Sequence, residues 1–231
     1  MNAVLGFDDA REVADLAAFL GRLIHYDRAA AVRLQAGGGA LAVFGRPPSF
    51  EVLAIRTARL VDESVTLDVT VSAGELLESL DESASSTRVP AAVTGPPWVG
   101  VLPPRGGWQP VPGLPDPEGM RGAVVAAVAE FRSRDEALPE QRRTRAEREL
   151  IGRDIWSRTL GSTELPLRAV HAAQSLGFLR PVRALAAAGA PSVPDPVALF
   201  ASGPWLRLRT PYGSVALRRA GGAGGLSVSP A

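Results

Sequence analysis

From Asp9 to Ile24, Val13, Leu16, Leu20 and Leu23 recur at helical spacing, so the pattern predicts an amphipathic helix. Asp9 followed three positions later by Glu12 makes a capping pair, and carboxylates suit the positive end of a helix. Beyond Asp27 the period changes to two. Val32 and Leu34 alternate with Arg33 and Gln35, Gly37 to Gly39 interrupt, and Leu41 and Val43 follow, which is a hairpin signature. A long strand is predicted over Phe50 to Val61. Next, Val65, Leu67, Val69 and Val71 alternate with Thr66, Asp68, Thr70 and Ser72. Ser72 stands three residues ahead of Glu75, a capping box for a short helix bearing Leu76, Leu77 and Leu80. Residues 1–82 therefore read as an α+β lobe of helix, four-strand antiparallel meander and capped helix.

Residues 83–117 change character, with a Ser/Thr run and then Pro90, Pro96, Pro97, Pro103, Pro104, Pro110, Pro112, Pro115 and Pro117. Trp98, Val99, Leu102 and Trp108 supply apolar anchors, so this stretch is expected to pack along the protein as a strap, partly as polyproline II. Residues 118–220 read as a helical lobe with a terminal hairpin. Asp116 and Pro117 open a helix to about Ala137, Pro139 restarts a charged one to about Arg158, and Ser162 or Thr163 caps a third from Glu164 to Leu176, closed by Gly177. Asp195 and Pro196 are expected to open a short helix, and Trp205 to Thr210 and Ser214 to Arg219 form a hairpin about Pro211, Tyr212 and Gly213. The Gly-, Ala- and Ser-rich tail, residues 221–231, is expected to be disordered.

Composition narrows the chemistry. The 231 residues hold 25 basic side chains, all Arg, against 24 acidic ones, with no Cys. No Lys means no Schiff base and no Walker A lysine, and no Cys means no thiol nucleophile, disulfide or zinc finger. Residues 1–82 carry 13 acids and 7 Arg, net −6, whereas residues 83–231 carry 11 acids and 18 Arg, net +7. From Arg168 to Arg219 seven Arg face one acid, Asp195, a field that would attract an anionic partner. No apolar run reaches the roughly 20 residues a bilayer requires, and no basic-then-apolar leader opens the chain, so a cytoplasmic protein without membrane contact is expected.

The segments AAVRLQAGGGALAVFG, FEVLAIRTARLV and VTLDVTVSAGELLESL, preceded by an amphipathic helix, resemble one subdomain of a DNA sliding clamp over about 80 of the 231 residues. A clamp repeats its subdomain, and no second copy follows here, so ring formation is not implied. Taken whole, the Arg-rich, Lys-free chain resembles an actinobacterial conserved protein family of unknown function, which implies a cytoplasmic protein and supplies no activity.

Gly37, Gly39 and Ala42 fit a relaxed dinucleotide fingerprint, but a strand rather than a helix follows, so a plain turn is expected. Trp98, Arg105 and Trp108 lie in a Pro-ordered segment suited either to recognition or to a strap whose rings plug grooves between lobes. Arg168 and His171 share a predicted polar helix face with Ser175, and the Arg charge would disfavour protonation of the His. His25 is expected to face its own helix's negative pole. In the terminal hairpin Arg207, Arg209 and Arg218 share the face opposite Leu206, Leu208, Val215 and Leu217. Three helices and an Arg-faced hairpin are the element order of a winged helix, whose wing touches phosphates. The residues thus point first to a non-enzymatic binding or regulatory protein for a protein partner or an anionic ligand. A nucleic-acid-associated factor using the Arg face comes second, and an enzyme with carboxylate or Arg chemistry third. No cofactor, metal site or catalytic residue is expected.

Overall fold

A computed structural model describes residues 3–181 and 197–219. The first strand, β1 (Val4–Gly6), precedes α1 (Ala10–Tyr26), which buries Val13, Leu16, Phe19, Leu20 and Leu23. Asp9 caps α1 by accepting from the Arg11 N–H at 2.9 Å. Glu12 does not complete a capping box, because its carboxylate is drawn to Arg56 at 3.0 Å. Strands β2 (Ala31–Gly37) and β3 (Ala40–Gly45) form the expected hairpin. Gly38 and Gly39 make its two-residue turn at φ of 59° and 73°, backbone that a residue with a Cβ adopts poorly. The next strand, β4, spans Leu53–Arg59 and starts later than the sequence suggests. Ser49 and Glu51 have φ of 72° and 53°, which breaks the extended run before it.

Strand β5 (Leu67–Ser72) leads into α2 (Ala73–Glu78), where the Ser72 hydroxyl accepts from the Glu75 N–H. The four strands are antiparallel but not sequential in space. β5 turns back to pair with β2, Val71 opposite Val32, and leaves the far edge of β4 open for a later partner. Leu80 falls in β6 (Leu80–Asp81), which joins β7 (Ser86–Arg88) and β1 in a small separate sheet.

Within the proline-rich stretch a tight helical turn at Pro97–Gly100 is followed by β8 (Gln109–Val111). Asp116 caps α3 (Pro117–Glu136) through the Gly119 N–H. The charged helix expected from Pro139 is interrupted. A single tight turn at Glu140–Arg142 precedes α4 (Arg145–Trp156), because Thr144 caps a new start by accepting from the Glu147 N–H. The third helix, α5 (Leu167–Ser175), begins after Pro166, later than expected. The Thr163 hydroxyl is spent in the preceding turn, donating to Leu160 O at 2.7 Å. Gly177, at φ 75°, ends α5 as its position suggests. The helix opening expected at Asp195 and Pro196 and the tail from residue 221 lie outside the described residues. Ala198–Ser202 is strand β9, and β10 (Trp205–Thr210) and β11 (Gly213–Arg218) complete the chain's terminal hairpin.

Among the described residues, eight strands make one sheet in the order β5, β2, β3, β4, β11, β10, β9, β8. The join between early and late chain is the β4–β11 ladder, with Ile55 opposite Ser214, Ala54 opposite Val215 and Leu53 opposite Ala216. Alternation assigns the two faces. Val32, Leu34, Val43, Ala54, Leu206, Leu208 and Val215 belong to the main core with the buried residues of α1, α3 and α5. Phe44, Leu53, Ile55, Trp205 and Ala216 form a second, smaller cluster on the opposite face.

The strap lies on that second face. It leaves the β5 edge, where the Val93 N–H donates to Thr70 O, and ends as β8 at the other edge. Trp98, Leu102 and Trp108 pack on the second cluster. The two Trp rings thus pack on a cluster to which both parts of the chain contribute, Phe44, Leu53 and Ile55 from one and Trp205 and Ala216 from the other. They are half-buried on the outer face of a sheet that both parts of the chain build. No helix among the described residues is long and apolar enough to cross a membrane.

Candidate functional site

Where the strap turn passes over β4, β11 and β10, it leaves a groove of about 480 Å³. The floor is apolar. Leu53 and Ala216 are opposite one another in the β4–β11 ladder and Trp205 stands next to them in β10, all by the parity of the outer face. Pro97, Trp98 and Val101 of the strap form one wall. That wall is tied down by Arg33, whose Nη1 donates to Val99 O, while its Nε and Nη2 donate to the two carboxylate oxygens of Asp68 at 2.7 and 2.9 Å. These bonds hold the Asp68 carboxyl below its ordinary range, with a smaller contribution from the charge of Arg105.

The charged rim comes from three separate pieces of chain. Arg46 and Glu51 stand in the loop between β3 and β4, Arg168 in the first turn of α5, and Arg218 at the end of β11. Arg218 places its guanidinium over the Trp205 ring, 5.7 Å from the centroid, a cation–π arrangement. Arg168 lies 3.6 Å from Glu51, and its Nε is buried without a hydrogen-bond partner. Among the described residues, three guanidinium groups against one carboxylate give the rim a net positive charge over an apolar floor. On the far side of Arg46 and Trp98 a second groove, of about 510 Å³, is lined by Asp27, Ser72 and Thr94.

The loop bearing Arg46 and Glu51 is anchored by Phe50, which is buried between the two positive-φ residues. The Phe50 ring meets Tyr26 edge-on at 5.5 Å and His171 at 5.1 Å. His171 in turn stacks on Trp156 at 4.4 Å. Its ring is thus embedded among aromatics instead of lying on a solvated stripe with Arg168 and Ser175. Burial, rather than a neighbouring Arg charge, lowers its pKa. His25 occupies the last turn of α1 as expected and meets Tyr26 edge-on at 5.5 Å.

Of the residues that the sequence singles out, Trp98, Arg168 and Arg218 converge on the groove. Arg105 is exposed in the strap outside it. Trp108, Arg207 and Arg209 lie further along the same face. The Trp108 indole N–H donates to Pro104 O at 3.0 Å, Arg207 sits over the Trp108 ring at 5.8 Å, and Arg209 over the Phe200 ring at 5.1 Å. Desolvation, and then the charge of Arg209, lower the pKa of Arg207. The hairpin is not a free wing, since β11 is paired with β4 and β10 with β9. Sequence reasoning missed Arg46, Glu51 and Trp205. Trp205 carries a usable signal, because alternation puts it on the face of Arg207. Arg46 and Glu51 give none, being separated from Arg168 by more than a hundred residues. Among the described residues no group of three or more His, Cys, Asp or Glu could hold a metal ion.

Comparison with known proteins finds two adjacent family matches. Residues 1–100 match the Domain of unknown function (DUF8010). No curated protein and no solved structure matches the chain. The junction of the two family matches falls in the strap, yet the β4–β11 ladder crosses between them and the groove draws residues from both. The second match, to the Domain of unknown function (DUF8185), takes in residues 103–222, more than half of the chain, and the chain belongs to that family.

Proposed function

We propose that the protein is a non-enzymatic binding protein whose groove takes an organic anion with an apolar body. The observation that carries this reading is the convergence of Arg46, Arg168 and Arg218 on the rim of a groove floored by Leu53, Trp205 and Ala216. Guanidinium groups match carboxylate and phosphate oxygens in fork geometry, and the Trp faces suit a flat or branched apolar group. The volume lies within the range usual for small-molecule sites, roughly 300–1,000 Å³. A cytoplasmic setting belongs to the proposal, and the sliding-clamp and actinobacterial resemblances add no activity to it.

The test is titration of the protein with naphthoate, followed by intrinsic Trp fluorescence. Arg168→Gln and Arg218→Gln should each weaken binding about tenfold, the equivalent of one charge-assisted hydrogen bond. Binding unchanged in both variants refutes the site.

A second reading, nucleic-acid association, is favoured by one observation: Arg207, Arg209 and Arg218 share the outer sheet face. Against it, Arg207 is half-buried beside Trp108. A phosphate-tracking surface would lose affinity for labelled DNA or RNA with a log–log salt slope of about −0.9 per duplex phosphate neutralised. A single organic anion would show a slope near one at most.

A further inference from the structure

Glu51 faces Arg168 on the rim of the groove. Its carboxylate faces Arg168 at 3.6 Å, too far for a hydrogen bond, so the charges pair while Arg168 Nε stays buried and unbonded. An unmade hydrogen bond from a buried donor costs free energy, so a group that approached Arg168 more closely would be preferred. The Glu51 side chain is 71% exposed, and its departure would uncover little. Its backbone is held at φ 53°, in the left-handed region that a Glu seldom occupies, and Ser49 is held at 72°. Phe50, buried between them, fixes the loop, so this conformation is imposed by packing and held against its own preference. Among the described residues Glu51 is also the only acid that lines the groove.

Building on the reading that the groove takes an organic anion, we infer that Glu51 is an internal placeholder for the ligand. The ligand's carboxylate displaces it from Arg168, and the freed side chain moves into water. The group replaced is a carboxylate, so the ligand class is a carboxylic acid with an apolar or aromatic body. Glu51 lowers the affinity of every such anion by the strength of its own weak pairing, so the ligands that bind best are those adding apolar contact with Trp98, Trp205 and Leu53.

The experiment compares the wild-type chain with Glu51→Gln, which keeps size and removes charge. Naphthoate and naphthyl phosphate are titrated into each, and amide hydrogen exchange is followed over residues 46–52. Glu51→Gln should bind naphthoate up to about fivefold more tightly, the equilibrium equivalent of an exposed ion pair. In the wild type the loop amides should exchange faster with naphthoate bound, as Glu51 leaves Arg168, whereas in Glu51→Gln the ligand should not speed them. Equal or weaker binding by the variant, or loop exchange in the wild type indifferent to the ligand, overturns the placeholder while leaving the groove as a binding site. Tighter binding of naphthyl phosphate than of naphthoate overturns the assignment to carboxylates. Absence of binding to either protein removes the groove reading and this inference with it.

Discussion

Arg56, in the middle of β4, donates from Nη1 to the backbone carbonyl of Tyr212, 2.9 Å away in space and 156 positions later in the chain. Its Nη2 meets Glu12 and Asp15 of α1 at 3.0 and 3.2 Å. Arg180, just beyond α5, also reaches Asp15 and lies 3.7 Å from the centroid of the Tyr212 ring. A charged residue only 7% exposed on the core face of a strand is unusual, and here it joins the first helix, the central strand and the last hairpin turn.

Replacing Arg56 by Met should therefore destabilise the fold strongly. Removing one partner of a fully buried pair costs about 3–5 kcal/mol, and because Glu12 and Asp15 retain some contact with water we expect about 2–4 kcal/mol. Adding Glu12→Gln to Arg56→Met should restore part of the loss, since Glu12 pairs with Arg56 whereas Asp15 keeps Arg180. Urea denaturation of the wild type and the two variants measures both effects, and a double variant no better than the single one would show that the unpaired Glu12 charge is not what matters.

A fragment of residues 1–82 should aggregate or fold poorly. Without β11 the edge of β4 is open, with Leu53 and Ile55 on its outer face uncovered, and Arg56 lacks its Tyr212 carbonyl. Open, apolar strand edges template association. Size-exclusion chromatography and thermal melting decide the matter. A monomeric fragment with a cooperative melt would show that the early chain folds independently.

Trp98→Ala and Trp108→Ala should differ in function more than in stability. Both rings are half-buried, so each truncation should cost about 1–3 kcal/mol, less than the 3–5 kcal/mol usual for a fully enclosed Trp. Of these two rings, Trp98 lines the groove and Trp108 does not. Naphthoate affinity should thus fall in Trp98→Ala and stay unchanged in Trp108→Ala, as read by titration calorimetry.

His171 gives the fold a pH dependence of predictable sign. Burial lowers its pKa in the folded state, so the unfolded chain, with a His pKa of about 6.5, binds the proton more readily. Its contribution is full above about pH 6.5 and declines as pH falls from there toward the lower folded value. His171→Phe, which keeps a ring against Trp156 and Phe50, should flatten the stability profile between about pH 5 and 7. A profile that keeps its slope would assign the titration elsewhere.

Local pattern was enough for most elements. The alternation of Val32, Leu34, Leu41 and Val43 about Gly38 and Gly39, the Asp9, Ser72 and Asp116 caps, and the Leu206 and Leu208 parity all rest on neighbours a few residues apart, and the structure keeps each of them. The α+β class and the Arg-bearing face of the last hairpin were legible for the same reason. Where a competing local bond intervened, the pattern misled. Thr144 restarts the charged helix, Thr163 is taken up by Leu160, and Ser49 and Glu51 delay β4.

What only the tertiary structure decided is which distant pieces meet. Periodicity assigns a residue to a face but says nothing about which strand lies alongside, so the return of β5 to β2 and the pairing of β4 with β11 could not be read from it. Those two choices put Arg46, Glu51, Arg168 and Arg218 around one groove and leave the strap on the outer face. The sequence determined the charges, the caps and the turn chemistry because each is settled within a few residues. The groove depends on long-range pairing, whose energy comes from burying Leu53, Ile55, Trp205 and Ala216 together, and that burial exists only once the strands have come into register.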